Sequence, residues 1–214
     1  MTCRKLSKFL EQNHPELRSL SLLSPGGSVR DAFGIGRLAR KYLLRTSGSA
    51  LGSVTDRKCA SACALIWFGG IEREGTVGLH RPTIDDAVYR ALQPPDAAAI
   101  YKGVLSEIVS YLEEMEVPRP MIDAMVATNS NEIMWVDAVI DKVDQPPSYA
   151  EWAEAVCGPA HRPPEFNFDA KDLDRGERML ARLAGMESYR KDRCVTSLTA
   201  RHRKTLPAPR PGGL

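Results

Sequence analysis

The strongest periodicity lies over residues 97–115, where Ile100, Val104, Ile108, Tyr111, Leu112 and Met115 fall on one helical face. Val29, Phe33, Leu38, Leu43 and Leu44, with basic residues between them, predict an amphipathic helix over 29–44. Residues 5–13 read as a short helix, and 62–68 as a buried one, because that run mixes small and large apolar residues without interruption. Pro118 opens a helix through Ala127, since proline is welcome in a first turn. Residues 134–143 predict another helix. Strand signals are shorter. Residues 17–23 mix apolar and polar positions and stop at Pro25-Gly26-Gly27, while 51–55 and 76–79 are two further candidates. Strands alternating with helices predict an α/β fold, a mostly parallel sheet flanked by helices.

Asp144-Gln145-Pro146-Pro147-Ser148 reads as a boundary. It divides a core over 1–145 from a helical extension over 146–200, with a polar helix expected at 169–183. Residues 201–214 are basic and proline-rich, which predicts a disordered tail. At 214 residues the chain can bury one real core plus an appendage. A net charge of +2 gives no global case for nucleic-acid or membrane binding. No apolar run reaches bilayer-spanning length, so no transmembrane segment is expected. The first twelve residues carry positive charge but no apolar h-region, so they are not a signal peptide as written. A cytoplasmic location follows from the sequence as written, and a periplasmic one if a longer N-terminus carries a signal. Five cysteines are too few for a disulfide scaffold, and one must stay unpaired within the chain.

The candidate chemistry is confined to three short segments. Ser24-Pro25-Gly26-Gly27-Ser28-Val29 is a glycine turn before a helix, Cys59-Ala60-Ser61-Ala62-Cys63 sets a serine among small residues, and Leu79-His80-Arg81-Pro82 ends a strand on a histidine. Acyl transfer needs backbone N–H groups for an oxyanion, a nucleophile, and a base for its proton. Taken singly, each piece has an ordinary reading: a strand-to-helix turn, a helix N-cap and a structural histidine. Gly34-Ile35-Gly36-Arg37-Leu38-Ala39 matches a dinucleotide-binding pattern but sits inside a helix rather than after a strand, so it lacks the required context. Cys59 and Cys63 could pair, line the elbow, or hold a metal with His80. The chain has no H-x₃-H or second C-x₂-C, so no metal is expected.

Together, the order glycine turn, serine, histidine resembles the Clp protease proteolytic subunit of the ClpP/crotonase superfamily. More closely, it looks like an uncharacterised, often exported bacterial branch with a pattern like SPGGSV, C-x-S-A-C, G-x-x-R and H-R. The matching pieces are Ser24–Val29, Cys59–Cys63, Gly70–Arg73 and His80-Arg81, and the likeness covers residues 17–143. It implies a ClpP-like serine peptidase without a cofactor, acting on a peptide or protein substrate, with homo-oligomer formation possible. Ser61 would be the nucleophile, His80 the base, and Gly27 and Ala62 the oxyanion donors. Asn131 would stand at the family's acid position, where an amide supports an imidazolium less well than a carboxylate. Asp137, Glu132 and Asp85 are the alternative orienters. Only sixteen residues precede Leu17, so the expectation is a core lacking its first strand. Three rival readings are a catalytically inactive scaffold, a crotonase-like acyl-CoA enzyme, and a Ser–Lys peptidase using Lys58 or Lys102. Cys59 and Cys63 are expected beside the elbow, and Cys157 and Cys194 in the extension.

Overall fold

Ser28 starts the first long helix of the core. Its hydroxyl accepts a hydrogen bond from the Asp31 N–H at 3.1 Å, satisfying one of the orphan donors of the first turn. Asp31 in that turn and Arg40 and Lys41 in the last complement the helix dipole. This helix, Val29–Lys41, is the second in a computed structural model that describes residues 3–13, 16–49, 58–83, 93–158 and 193–206. In chain order the elements are α1 (Cys3–Asn13), β1 (Ser19–Ser21), α2 (Val29–Lys41), β2 (Arg45–Ser47), α3 (Ala62–Phe68), β3 (Glu72–Glu74), β4 (Thr76–Leu79), α4 (Pro94–Glu114), α5 (Arg119–Ala127), β5 (Met134–Asp137) and α6 (Pro147–Cys157). A last helix covers 193–205. The architecture is mixed α/β.

The chain forms two units, Met1–Pro146 with Leu206–Leu214, and Pro147–Thr205. In the first, β1, β2 and β3 form a parallel sheet in that order, and β4 pairs antiparallel with β5. Single parallel bridges, Ser24 with Cys59 and Ala60 with Gly78, place the segment around Cys59 between the end of the first strand segment and β4. One apolar core joins Trp67 and Phe68 of α3, Tyr111 and Leu112 of α4, Ile122 and Met125 of α5, and Val77 and Val136 of the β4–β5 pair. A second packs Leu6 and Leu10 of α1 against Ile35, Leu38 and Tyr42 around α2.

Gly36, in the segment 34–39, finds its explanation in this packing. A Cβ on Gly69, just after α3, would run into the backbone of Gly36. The two segments of the chain therefore cross at a contact that only glycine permits. Tyr111 covers the crossing and donates its hydroxyl to the Leu65 carbonyl at 2.8 Å.

The G-x-x-R piece is also a fold device. The buried Arg73 guanidinium donates to the carbonyls of Phe68 at 2.7 Å, Met115 at 2.9 Å, Val143 at 3.2 Å and Gly70 at 3.3 Å. Phe68 and Met115 end α3 and α4, so two helix dipoles point their negative ends at this cation. Burial, and then the charge of nearby Arg40, pull its pKa down to about 9, which still leaves it charged at neutral pH.

Several expectations are corrected. Residues 134–143 are not a helix. Met134–Asp137 is β5, followed by turns, with Val136 and Val143 buried but Val139 and Ile140 exposed, so these apolar residues do not share one buried helical face. Asp137 decides this locally: its carboxylate accepts the N–H groups of Val139 at 3.0 Å and Ile140 at 3.2 Å, offering the backbone an alternative to helix. α2 stops at Lys41 rather than running to Leu44, because Leu43 adopts φ 50° and turns the chain into β2. β2 and β3 lack any apolar alternation, and charged Arg45 and Glu72 face each other across them as an ion pair. Residues 201–205 are not a tail but the end of the 193–205 helix, which stops before Pro207. The strand expected at 51–55 and the helix at 169–183 lie outside the described residues.

In the second unit, a disulfide joins Cys157 at the end of α6 to Cys194, 37 residues on. Closing so long a loop in the unfolded chain is worth about 3–4 kcal/mol. Cys157→Ser with Cys194→Ser should lower this unit's unfolding free energy by that amount and bring its urea midpoint down accordingly, followed by fluorescence of Trp152. An unchanged midpoint would show that the bridge carries no stability.

Candidate active site

The segment bearing Ser61 is pinned on both sides before it turns. Ala60 donates its N–H to Ser24 O at 3.0 Å, and Ser61 donates its own to Gly78 O at 2.9 Å. The chain then enters α3 at Ala62, and Ser61 takes φ 57° and ψ −127° to make the corner. For a residue with a Cβ this is a costly conformation, held only where neighbours over-determine it. Its side chain makes no capping hydrogen bond to α3, so the ordinary N-cap role is not the one it plays. Ser61 is half-buried, at a sharp strand-to-helix turn of the kind that presents a nucleophile.

The glycine turn lies against it. A Cβ on Gly26 would fall 2.8 Å from Ser61 Cβ and 3.1 Å from Ser61 Oγ, and Gly26 has φ 126°. No other residue fits there. The Ser24 hydroxyl clasps the turn, donating to Gly26 O at 3.0 Å and lying 3.3 Å from the Gly26 N–H. Gly27 follows with φ 140°. Among the described residues, neither the Gly27 N–H nor the Ala62 N–H donates a hydrogen bond. Ala62 opens α3 and Gly27 stands two residues before α2.

His80 follows β4 directly. Because Ala60 pairs with Gly78, Ser61 and His80 leave neighbouring strand segments at the same end, one and two residues past that pair. The imidazole Nδ1 lies 2.7 Å from Arg81 O. A carbonyl only accepts, so this contact is a hydrogen bond when Nδ1 carries the ring proton, which leaves Nε2 as the unprotonated nitrogen of the neutral imidazole. The Arg81 N–H donates to Thr128 O at 3.1 Å, which fixes this corner to the end of α5.

The turn bearing Asn131 precedes β5 at the His80 end, since Leu79 pairs with Met134. Asn131 itself is exposed and makes no hydrogen bond among the described residues. Glu132 faces Asn129, whose Nδ2 lies 3.5 Å from its carboxylate. Asp137 is at the opposite end of β4, paired with Thr76. The Ile140 and Val139 N–H groups and the Thr76 hydroxyl hold its carboxyl below the ordinary carboxylate range. Asp85 lies outside the described residues. Lys58 places its ammonium 5.1 Å over the Trp135 ring, and neither it nor Lys102 hydrogen-bonds Ser61.

Cys59 and Cys63 are joined in a disulfide that spans Ser61, with Cα atoms 5.3 Å apart and both residues buried. Pairing therefore takes these two thiols out of the alternatives of free lining residue or metal ligand. No three His, Cys, Asp or Glu side chains cluster as metal ligands among the described residues, and no helix among them is long and apolar enough to cross a membrane.

Two features of this corner escape side-chain reasoning. The contact that sets the histidine tautomer is a main-chain carbonyl. The clasp by Ser24 was signalled only by serine two places before glycine, a common turn pattern. No protein-family model matches the chain, and a search of the curated proteins finds no match.

Proposed function

We propose that this chain is a serine hydrolase with a Clp protease-like core, cleaving peptide bonds through Ser61 and His80. The observation that carries the reading is the left-handed backbone of Ser61, held at an elbow against Gly26 and beside the His80 strand. His80 Nε2 takes the proton as Ser61 Oγ attacks the substrate carbonyl. The carbonyl oxygen becomes an oxyanion, received by the unengaged N–H groups of Gly27 and Ala62. The tetrahedral intermediate collapses, the His80 proton passes to the leaving amine, and the acyl group stays on Ser61. Water, activated by the same imidazole, releases the acid and restores Ser61. The Ser24 hydroxyl already holds the glycine turn through Gly26, which supports donors placed ahead of substrate.

One observation favours a second reading. The partner of Nδ1 is a neutral carbonyl, which stabilises an imidazolium less than a carboxylate would. This predicts slow chemistry or, in the limit, an inactive scaffold. The two disulfides suit an oxidising compartment such as the periplasm.

A fluorophosphonate probe distinguishes the two. The hydrolase reading expects slow covalent labelling, located on Ser61 by peptide mass spectrometry. Folded protein that takes no label at any pH it tolerates would leave the scaffold reading.

A further inference from the structure

We infer that the cavity beside the glycine turn is the acyl-side subsite of this centre, and that it takes a short, apolar acyl group rather than an anionic one. The direction rests on the hydrolase reading; the ligand class rests on the cavity. Gly26 and Ala62, which flank Ser61, both line a cavity of ≈ 260 Å³ between β1, α2 and α3. Its buried floor includes Ala32 and Ile35, and Leu22 and Ile66 add apolar wall. The exposed Ser21 and Ser28 mark its mouth.

Topology decides which part of a substrate goes there. Ser24 pairs with one side of the Cys59–Ala60 segment and Gly78, two residues before His80, with the other. His80 must hand its proton to the leaving group, so the leaving group lies on the β4 side. The acyl substituent then projects the opposite way, towards Ser24, Gly26 and the cavity. Size decides what fits. At ≈ 260 Å³ the space falls below the range of about 300–1,000 Å³ that holds whole drug-sized ligands. It suits a short chain rather than a bulky group. Charge decides the rest. Asp31 also lines the cavity, its carboxylate held by the Cys3 N–H at 3.1 Å, and it disfavours an anionic group.

The test combines turnover with binding. p-Nitrophenyl esters from acetate to decanoate are compared on the native protein and on Ala32→Phe and Ile35→Phe, two variants that fill the floor. Hexanamide is titrated into folded, non-nucleophilic Ser61→Ala, with backbone amide chemical shifts as readout. The inference expects kcat/KM to rise about threefold per methylene to hexanoate and then fall by decanoate. It expects at least one filling variant to cut the hexanoate-to-acetate ratio by about tenfold or more. It also expects hexanamide to shift Ala32, Ile35 and Ile66. Turnover with a flat chain-length profile, or shifts confined elsewhere, would overturn the subsite and leave the hydrolase intact. Hexanamide bound at Ala32 and Ile35 with no ester turned over and no Ser61 label would keep the ligand assignment and overturn the hydrolase. No binding and no turnover would overturn both.

Discussion

His80→Ala should lower ester and peptide turnover by at least about 10³-fold, and Ser61→Ala by a similar factor. The double variant should lose nothing further, because nucleophile and base act as one unit and their removal is not additive. What remains in all three would be the contribution of the Gly27 and Ala62 N–H groups and of substrate binding. Asn131→Asp sharpens the expectation. Its side chain is exposed and makes no hydrogen bond among the described residues. A carboxylate there would be screened by solvent, and turnover should stay within about threefold of the parent. Initial rates with p-nitrophenyl butyrate, on variants whose circular dichroism matches the parent, check each value. Undiminished turnover in His80→Ala would remove the imidazole from the mechanism.

Arg73→Met should cost about 3–5 kcal/mol of stability. Methionine fills much of the same volume but donates nothing. The carbonyls of Phe68, Gly70, Met115 and Val143 would each lose a buried donor. Arg40 offsets part of this, since its Nη2 already donates to the Phe68 carbonyl at 3.3 Å and the Met115 carbonyl at 3.4 Å, which leaves Gly70 and Val143 as the carbonyls it does not reach. Arg73→Lys should cost less but still clearly, since one ammonium cannot span four carbonyls from a single point. Domains of this size hold only about 5–15 kcal/mol in total, so Arg73→Met brings the core near its limit. Urea unfolding followed by fluorescence of buried Trp67 measures the loss. A cost under about 1 kcal/mol would show that water replaces the guanidinium.

The contrast between α4 and β5 shows what the sequence could carry. Ile108, Tyr111, Leu112 and Met115 really are buried on one face, and a helix of 21 residues repeats its signal often enough to be read. Met134–Asp137 offers only four residues, and its apolar continuation through Val139 and Ile140 imitates a helix. The carboxylate of Asp137 turns the chain locally, and the pairing partner β4, far upstream in sequence, is no local pattern at all. β2 and β3 are three residues each and largely polar, so they exist only because neighbouring strands pair with them. At the elbow, the segment order placed Ser61 between strand and helix. Small residues around it and glycines before it are visible as composition. The Ser61 φ and the Arg81 carbonyl on His80 are backbone geometry, and no residue type encodes them.

The two disulfides leave a single thiol, on Cys3. A lone cysteine is normally a hazard during oxidative maturation, because its thiolate can attack finished bridges and shuffle them. Here burial, and secondarily the Asp31 carboxylate nearby, raise the Cys3 pKa. The thiolate is therefore disfavoured in the folded chain, and the attacking species is scarce. The Cys59–Cys63 ring is also small, so its ends meet at little entropic cost and can close early, whereas Cys157 and Cys194 must search a far longer loop. The short ring therefore favours early closure of the elbow, and once the chain is folded the leftover thiol is a weak attacker of either bridge.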